Sequence, residues 1–542
     1  MIAVGELVDG YWSDFLATEP LFATQVGDHR FDHVLAVPDD EGRARRRSVH
    51  DGLLRAARGI DRGALDREDR IALALAEAVA RRELAFLEHE LDLLWAVSHM
   101  LAGHRQGPGV LLAEIAAVQP SGSREEHERY LERLAAVDDL LDAERGNARR
   151  GRRSGITAAR VVVRRLCQQV DRVLATPIDE SVALRPLASA DGELRDRACR
   201  LLADEIYPAY ARLRDELEDY LPHAREELGL CGLAGGGAIY RSEILAWTTV
   251  RADPLELHRQ GWELLEEVRA EQRAVAARLG HGSPHEALAA RPRDNGAHLH
   301  SREEILAFTR ARVDEAWEAL PGWFGHLPSA NCDVEPVDPG HEDDGFDYYK
   351  LGDGTRPGAF FVNTKPPRST HEIAATVFHE SNPGHHLQTA LDVEAEGRAA
   401  IRRFAAELQG SAYCEGWALY SERLADTMGL YRDDYERLGM LELQALRTAR
   451  LVADTGLHEL AWERDRALEL LATTGLKAEW CASEVDRYSA LPGQALSYRV
   501  GQLEVERMRD DWLKAGGDVV AFHDAFLRIG SVPLELAAEE IK

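Results

Sequence analysis

Nowhere in the 542 residues do 18 uncharged apolar positions run together, so no conventional membrane-spanning helix is expected. The N-terminus, Met1-Ile2-Ala3-Val4-Gly5-Glu6, has neither a basic start nor a long apolar stretch, and a cytoplasmic location is the expectation from it. Cysteine is scarce: six residues, at 167, 199, 231, 332, 414 and 481, with no C-x-x-C pair and no close cluster. That spacing excludes a disulfide framework and a thiolate zinc site, and predicts reduced thiols. Positive charge is in deficit, 65 Lys and Arg against 94 Asp and Glu, and the net charge of -29 repels phosphate backbones and anionic membranes. Neither nucleic acid nor a membrane is an expected partner.

Apolar residues make up 45% and charged residues 29%, proportions that support a compact body with a large core. From Gly5 to about Leu230 apolar positions recur at three and four, as in 68–94 and 123–145, so the fold class is mostly α. Gly235-Gly236-Gly237 breaks the pattern, and a soft boundary divides a helical scaffold lobe, 1–232, from a second helical region, 233–542. Pro254 suits the first turn of a helix that runs through Leu279. Between 321 and 368 the texture changes to Pro, Gly and Asp, with two β-like runs, Phe346-Asp347-Tyr348-Tyr349 and Ala359-Phe360-Phe361-Val362-Asn363. Asp353-Gly354 between them is a turn signal, which predicts a small hairpin or two sheet edges. Ser369-Thr370-His371-Glu372 then reads as a capping box that opens a helix.

That helix leads into His379-Glu380-Ser381-Asn382-Pro383-Gly384-His385-His386. Zinc takes imidazole and carboxylate ligands, and a catalytic site uses three of them with one position open to water. The common helical arrangement is H-E-x-x-H, with the Glu as general base. Here the residue one turn after His379 is Pro383, and the strict motif fails. On an unbroken helix His386 would share a face with His379 but lie ~10 Å along the axis, and His385 would point roughly 120° away. A bulge at Pro383-Gly384 removes either obstacle. Restoring one-turn spacing to His385 absorbs two residues and to His386 three, which favours His385 and leaves His386 as the alternative. The third ligand is expected on a later helix, where Glu415 and Glu422 stand seven apart among Tyr413, Cys414, Trp417, Leu419 and Tyr420. Glu415 is nearer the histidines; Glu422 then orients a ligand.

Several blocks resemble a bacterial family, domain of unknown function 885. They are His379-Glu380-x-x-Pro383-Gly384-His385-His386-Leu387-Gln388, Glu415-Gly416-Trp417-Ala418-Leu419-Tyr420, 450–458 from Arg450 to His458, Asp486-Arg487-Tyr488, and 492–498 from Pro492 to Tyr498. Arg356-Pro357-Gly358 and Phe361-Val362-Asn363 add to the likeness, which spans about 235 to 510. That family resembles the helical zinc peptidases of the gluzincin group. The resemblance implies Zn2+, a two-lobed helical body around a deep cleft, and hydrolysis of a peptide or amide bond by water, with Glu380 as base. It also implies His458 and Tyr498 as oxyanion donors, with Tyr488 a weaker candidate. Many family members are exported lipoproteins, unlike the location expected here.

Three further roles concern substrate. The run through Phe361 and Asn363 is expected to act as an edge strand that holds an extended peptide. Arg356, Arg450 and Arg499 are candidates to pair with a substrate carboxylate. Two rival readings share the same residues: a non-haem iron oxygenase with a two-His-one-carboxylate site, in which Glu380 has no task, and a catalytically silent binding protein.

Overall fold

The computed structural model describes residues 3–102, 104–292, 296–337, 347–352 and 357–541. The chain is mostly helical, and strand among the described residues is confined to two short antiparallel pairs and one three-stranded sheet. No described helix is long and apolar enough to cross a membrane. All six cysteines are free.

The chain divides into two compact units. The first comprises Met1–Ile239, Ala399–Ile401 and Asp486–Leu491; the second comprises Tyr240–Arg398, Arg402–Val485 and Pro492–Lys542. The main division lies just after the triple glycine, whereas the two short returns carry no change of composition that marks them.

In the first unit, helices Arg124–Ala135, Val137–Ser154, Arg160–Ala175 and Tyr207–Tyr220 bury one shared core built on Tyr130, Leu134, Leu141, Leu166, Leu213 and Leu217. Ser123 caps the first of these by accepting from the Glu126 amide, as the sequence period requires at its start. The return segment is tied in by Arg165, 2.7 Å from Asp486, and by Ser489, whose hydroxyl donates to the Leu228 carbonyl at 2.8 Å.

Six helices of the second unit are labelled α1 (Pro254–Arg278), α2 (Thr370–Glu380), α3 (His385–Glu394), α4 (Ala412–Thr427), α5 (Asp434–His458) and α6 (Ser497–Lys514). Pro254 occupies the first turn of α1, and Asp253 caps it by accepting from the Leu255 and Glu256 amides. Its partner is α5, which is buried along nearly its whole length. α4 crosses α6 at very close range. A Cβ added at Gly416 would lie 2.3 Å from the Gly501 carbonyl carbon, and one at Gly501 would lie 2.1 Å from the Ala412 oxygen. Backbone therefore touches backbone, and only glycine fits at either position.

The sheet contains β1 (Asp333–Pro336), β2 (Tyr348–Lys350) and β3 (Ala359–Val362) in the order β1-β3-β2. β2 and β3 pair antiparallel as the expected hairpin, with Phe361 opposite Tyr348 and their rings stacked at 4.9 Å. The Asp353-Gly354 turn and Phe346 lie outside the described residues. β3 also pairs with β1 in parallel, so it is the middle strand, and the expectation that it serves as a free edge is corrected. Both of its ladders are already filled, because Phe360 and Val362 point into the core and draw β1 alongside.

The α4–α6 crossing generates a stability prediction. Gly416→Ala and Gly501→Ala each force a methyl into backbone, and each is expected to cost about 3 kcal/mol or more. Urea unfolding followed by far-ultraviolet dichroism measures it, and a loss below ~0.5 kcal/mol in both variants would contradict the crossing.

Candidate metal centre

The centre begins at the capping box. Ser369 and Glu372 satisfy each other's backbone amides at the start of α2, which carries His379 and Glu380 to its last turn. The helix stops there because Pro383 has no amide hydrogen to donate. At Gly384 a Cβ would lie 1.9 Å from the His379 carbonyl oxygen, so the chain folds back against α2 as only glycine permits. α3 then begins at His385. Two donors from α4 hold this interruption in place: Trp417 Nε1 and Ser421 Oγ both donate to the Pro383 carbonyl, at 2.9 and 3.1 Å.

The structure brings His379, His385 and Glu415 together. One ligand atom from each lies within 4.8 Å of the others. His379 Nε2 is 3.3 Å, and His385 Nε2 3.5 Å, from Glu415 Oε2. In a tetrahedron of ligands at ~2.1 Å from a zinc ion the edges are about 3.4 Å, which both distances match. Glu415 Oε2 is buried with only the two imidazole nitrogens about it, neither in a well-formed hydrogen bond, so all three donor atoms converge on a point that suits a cation. The donor set, two imidazoles and one carboxylate, therefore fits zinc.

Glu422 sits behind the centre, fully buried, and its Oε1 accepts from His379 Nδ1 at 2.8 Å. That bond leaves Nε2 of His379 turned to Glu415. His386 faces elsewhere. Its Nε2 lies 3.0 Å from the Ala330 carbonyl and its Nδ1 3.3 Å from the Tyr349 hydroxyl.

The electrostatics follow from burial and these neighbours. Burial alone would lower the His379 pKa, but Glu415 and Glu422 outweigh it and carry it up to about 9. Burial would raise Glu415, but the imidazoles of His379 and His385 hold it well below the usual carboxylate range. Between them the groups hold positive charge where a metal would sit. Glu380 is pushed up by burial, against the opposing pull of His379 and His385 and with further push from Glu415 and Asp347.

Glu380 borders a cavity of about 200 Å³ whose wall also includes Asp347, Arg368, Arg447 and Arg450. Arg450 is paired with Glu484 at 2.8 Å and stacks on the Tyr498 ring at 4.4 Å. Arg499 donates to Gln502 Oε1 at 2.5 Å. Asn363 is buried; its amide donates to Asp347 Oδ1 at 2.6 Å. His458, at the end of α5, is fully buried with its ring 5.0 Å from that of Tyr240. Tyr498, half-buried, and His458 are not part of that cavity's wall. Tyr488 is fully buried and belongs to the first unit, and Arg356 lies outside the described residues. The sequence reading missed Asp347 and Arg447. Asp347 was visible only as part of a β-like run, and Arg447 sits in an amphipathic helix where a cation is unremarked.

The fold is shared with two solved structures of putative lipoproteins. That from Colwellia psychrerythraea superposes with a TM-score of 0.89 at 23% identity, over 99% of this chain and 98% of that one. That from Shewanella oneidensis, of unknown function, gives 0.75 at 16% identity over 99% of both chains. No curated protein matches the chain. The lipoprotein description of these relatives overturns the expected cytoplasmic location. An acidic helical body with free thiols folds in the same way on either side of a membrane, so its composition carries no address. The chain belongs to the bacterial family of unknown function DUF885, whose model matches residues 20–541.

Proposed function

We propose that the protein is a zinc-dependent hydrolase that cleaves a peptide or amide bond, with His379, His385 and Glu415 as ligands and Glu380 as general base. The observation that carries this reading is the convergence of three donor atoms on one point, with Glu415 Oε2 buried between the two imidazoles and Glu380 beside a cavity. Zinc at such a centre supplies Lewis acidity and lowers the pKa of water toward ~7.

The remaining chemistry belongs to the chain. Glu380, raised in pKa by burial, accepts the proton of the attacking water and returns it to the leaving amine, so no covalent acyl-enzyme is required. Glu422 fixes His379 in the tautomer that leaves Nε2 free, a positioning role. His458 and Tyr498 are kept as candidate oxyanion donors on the resemblance to gluzincin peptidases alone. An iron oxygenase would use the same three donors and give Glu380 nothing to do; the position of Glu380 on the cavity wall favours hydrolysis. It argues equally against a silent binding protein.

The purified chain is expected to hold about one zinc by elemental analysis, and dominance of iron would overturn the assignment. Glu415→Ala and His385→Ala are expected to empty the site, whereas Glu422→Ala weakens metal affinity by about 10- to 100-fold and His386→Ala leaves it loaded. A loaded His385→Ala beside an empty His386→Ala contradicts the geometry.

Glu380→Gln is expected to retain zinc while turnover of a peptide or N-acyl amino-acid pool, followed by mass spectrometry, falls by about 100- to 10,000-fold. Near-normal turnover in that variant rules out the proposed base.

A further inference from the structure

The cavity beside Glu380 is lined by four cations, and three are accounted for. Arg368 forms a two-point pair with Asp347 at 2.9 and 3.0 Å. Arg450 is committed to Glu484 and Tyr498. Lys477 lies at the exposed rim. Arg447 is different: although buried nitrogens without a partner occur on both Arg447 (Nε) and Arg450 (Nη1), Arg447 alone of the three arginines makes no ion pair among the described residues. A guanidinium carries five donors in a planar fork; Arg447 is half-buried, and only its Nε is both withdrawn from water and unmatched. Such a group facing a cavity calls for a planar, two-oxygen acceptor that enters from outside.

We propose that Arg447 receives the terminal carboxylate of the substrate, so that the enzyme acts on peptides or N-acyl amino acids that end in a free acid. This deepens the hydrolytic reading and rests on it. Arg447 is a specificity-determining residue on α5, and the base Glu380 lies on the wall of the same cavity at the end of α2. The volume of about 200 Å³ is below the roughly 300–1,000 Å³ of sites that take drug-sized ligands, and suits one residue-sized end of a substrate. Leu443, Leu446 and Trp480 supply apolar wall, so the terminal side chain is apolar. The one acid of the cavity that could cancel Arg447 from the same helix is Glu442. Its carboxyl is pushed up to about 8 by burial and by Glu372, and it is largely neutral at pH 7. The incoming carboxylate therefore meets a free cation.

The test is binding of N-acetyl-leucine and N-acetyl-leucinamide to the full chain, measured calorimetrically with chelator present so that no turnover intervenes. The acid is expected to bind at least tenfold tighter than the amide. Arg447→Met should bring the two within twofold, and Arg447→Lys, which keeps the charge and loses the fork, should fall between. Thermal melts establish that both variants fold; if Arg447→Met does not, the weakening in Arg447→Lys decides. Equal affinity for acid and amide in the wild type, or undiminished acid preference in a folded variant, overturns the proposal. Acid-selective, Arg447-dependent binding by a chain that hydrolyses no amide bond supports the carboxylate site and overturns the hydrolytic reading instead.

Discussion

Two carboxylates on one face of a buried helix are the constraint on which the centre depends. Glu415 and Glu422 project from α4 among Tyr413, Trp417 and Ala418, where water cannot solvate them freely. A carboxylate withdrawn from water without a counter-charge costs several kcal/mol, so the element packed against α4 must present donors. α2 does so with a single side chain. His379 spans both acids, Nδ1 to Glu422 and Nε2 to Glu415, and its affinity for a proton climbs accordingly. His385 adds a second imidazole on the open side of Glu415.

The surrounding packing serves to hold that arrangement still. α4 can press its acids against α2 only if nothing lets it slide, and the glycine crossing with α6 leaves no side chain at the contact to yield. From the other direction, α4 grips the Pro383 carbonyl with Trp417 and Ser421. One helix thus supplies the carboxylate of the cluster, the support of one imidazole and the clamp on the bend that delivers the other. Displacement of α4 by a fraction of an ångström would be felt at all of them together.

The parts legible in sequence were those governed by local rules. The helical period, the Ser369–Glu372 capping box, the first-turn Pro254 and the break at Pro383-Gly384 each follow from a few neighbouring residues, and each stands where the sequence suggested. Comparing the length of bulge needed by His385 and His386 likewise uses only helix geometry. What escaped was set by distant pairing. Whether the Ala359–Val362 strand is an edge depends on Asp333–Pro336, whose pattern looked like loop. Arg450 and Arg499 resembled free cations until Glu484, Tyr498 and Gln502 were seen beside them. Arg447, three residues from Arg450, has the same sequence texture but makes no ion pair among the described residues.

The clamp on Pro383 bears on how such a motif can change over generations. Two extra residues between the histidines would be easy to lose if they formed a loose loop. Here a deletion that restored the shorter spacing would strand the indole and hydroxyl donors of Trp417 and Ser421 in a buried place, on a helix some thirty positions downstream. Any lineage that shortened the motif would have to rewrite both helices at once. The contact couples the spacing to the Glu-Gly-Trp segment, and a pattern search that joins the two is a sounder way to find relatives than one that relaxes H-E-x-x-H alone.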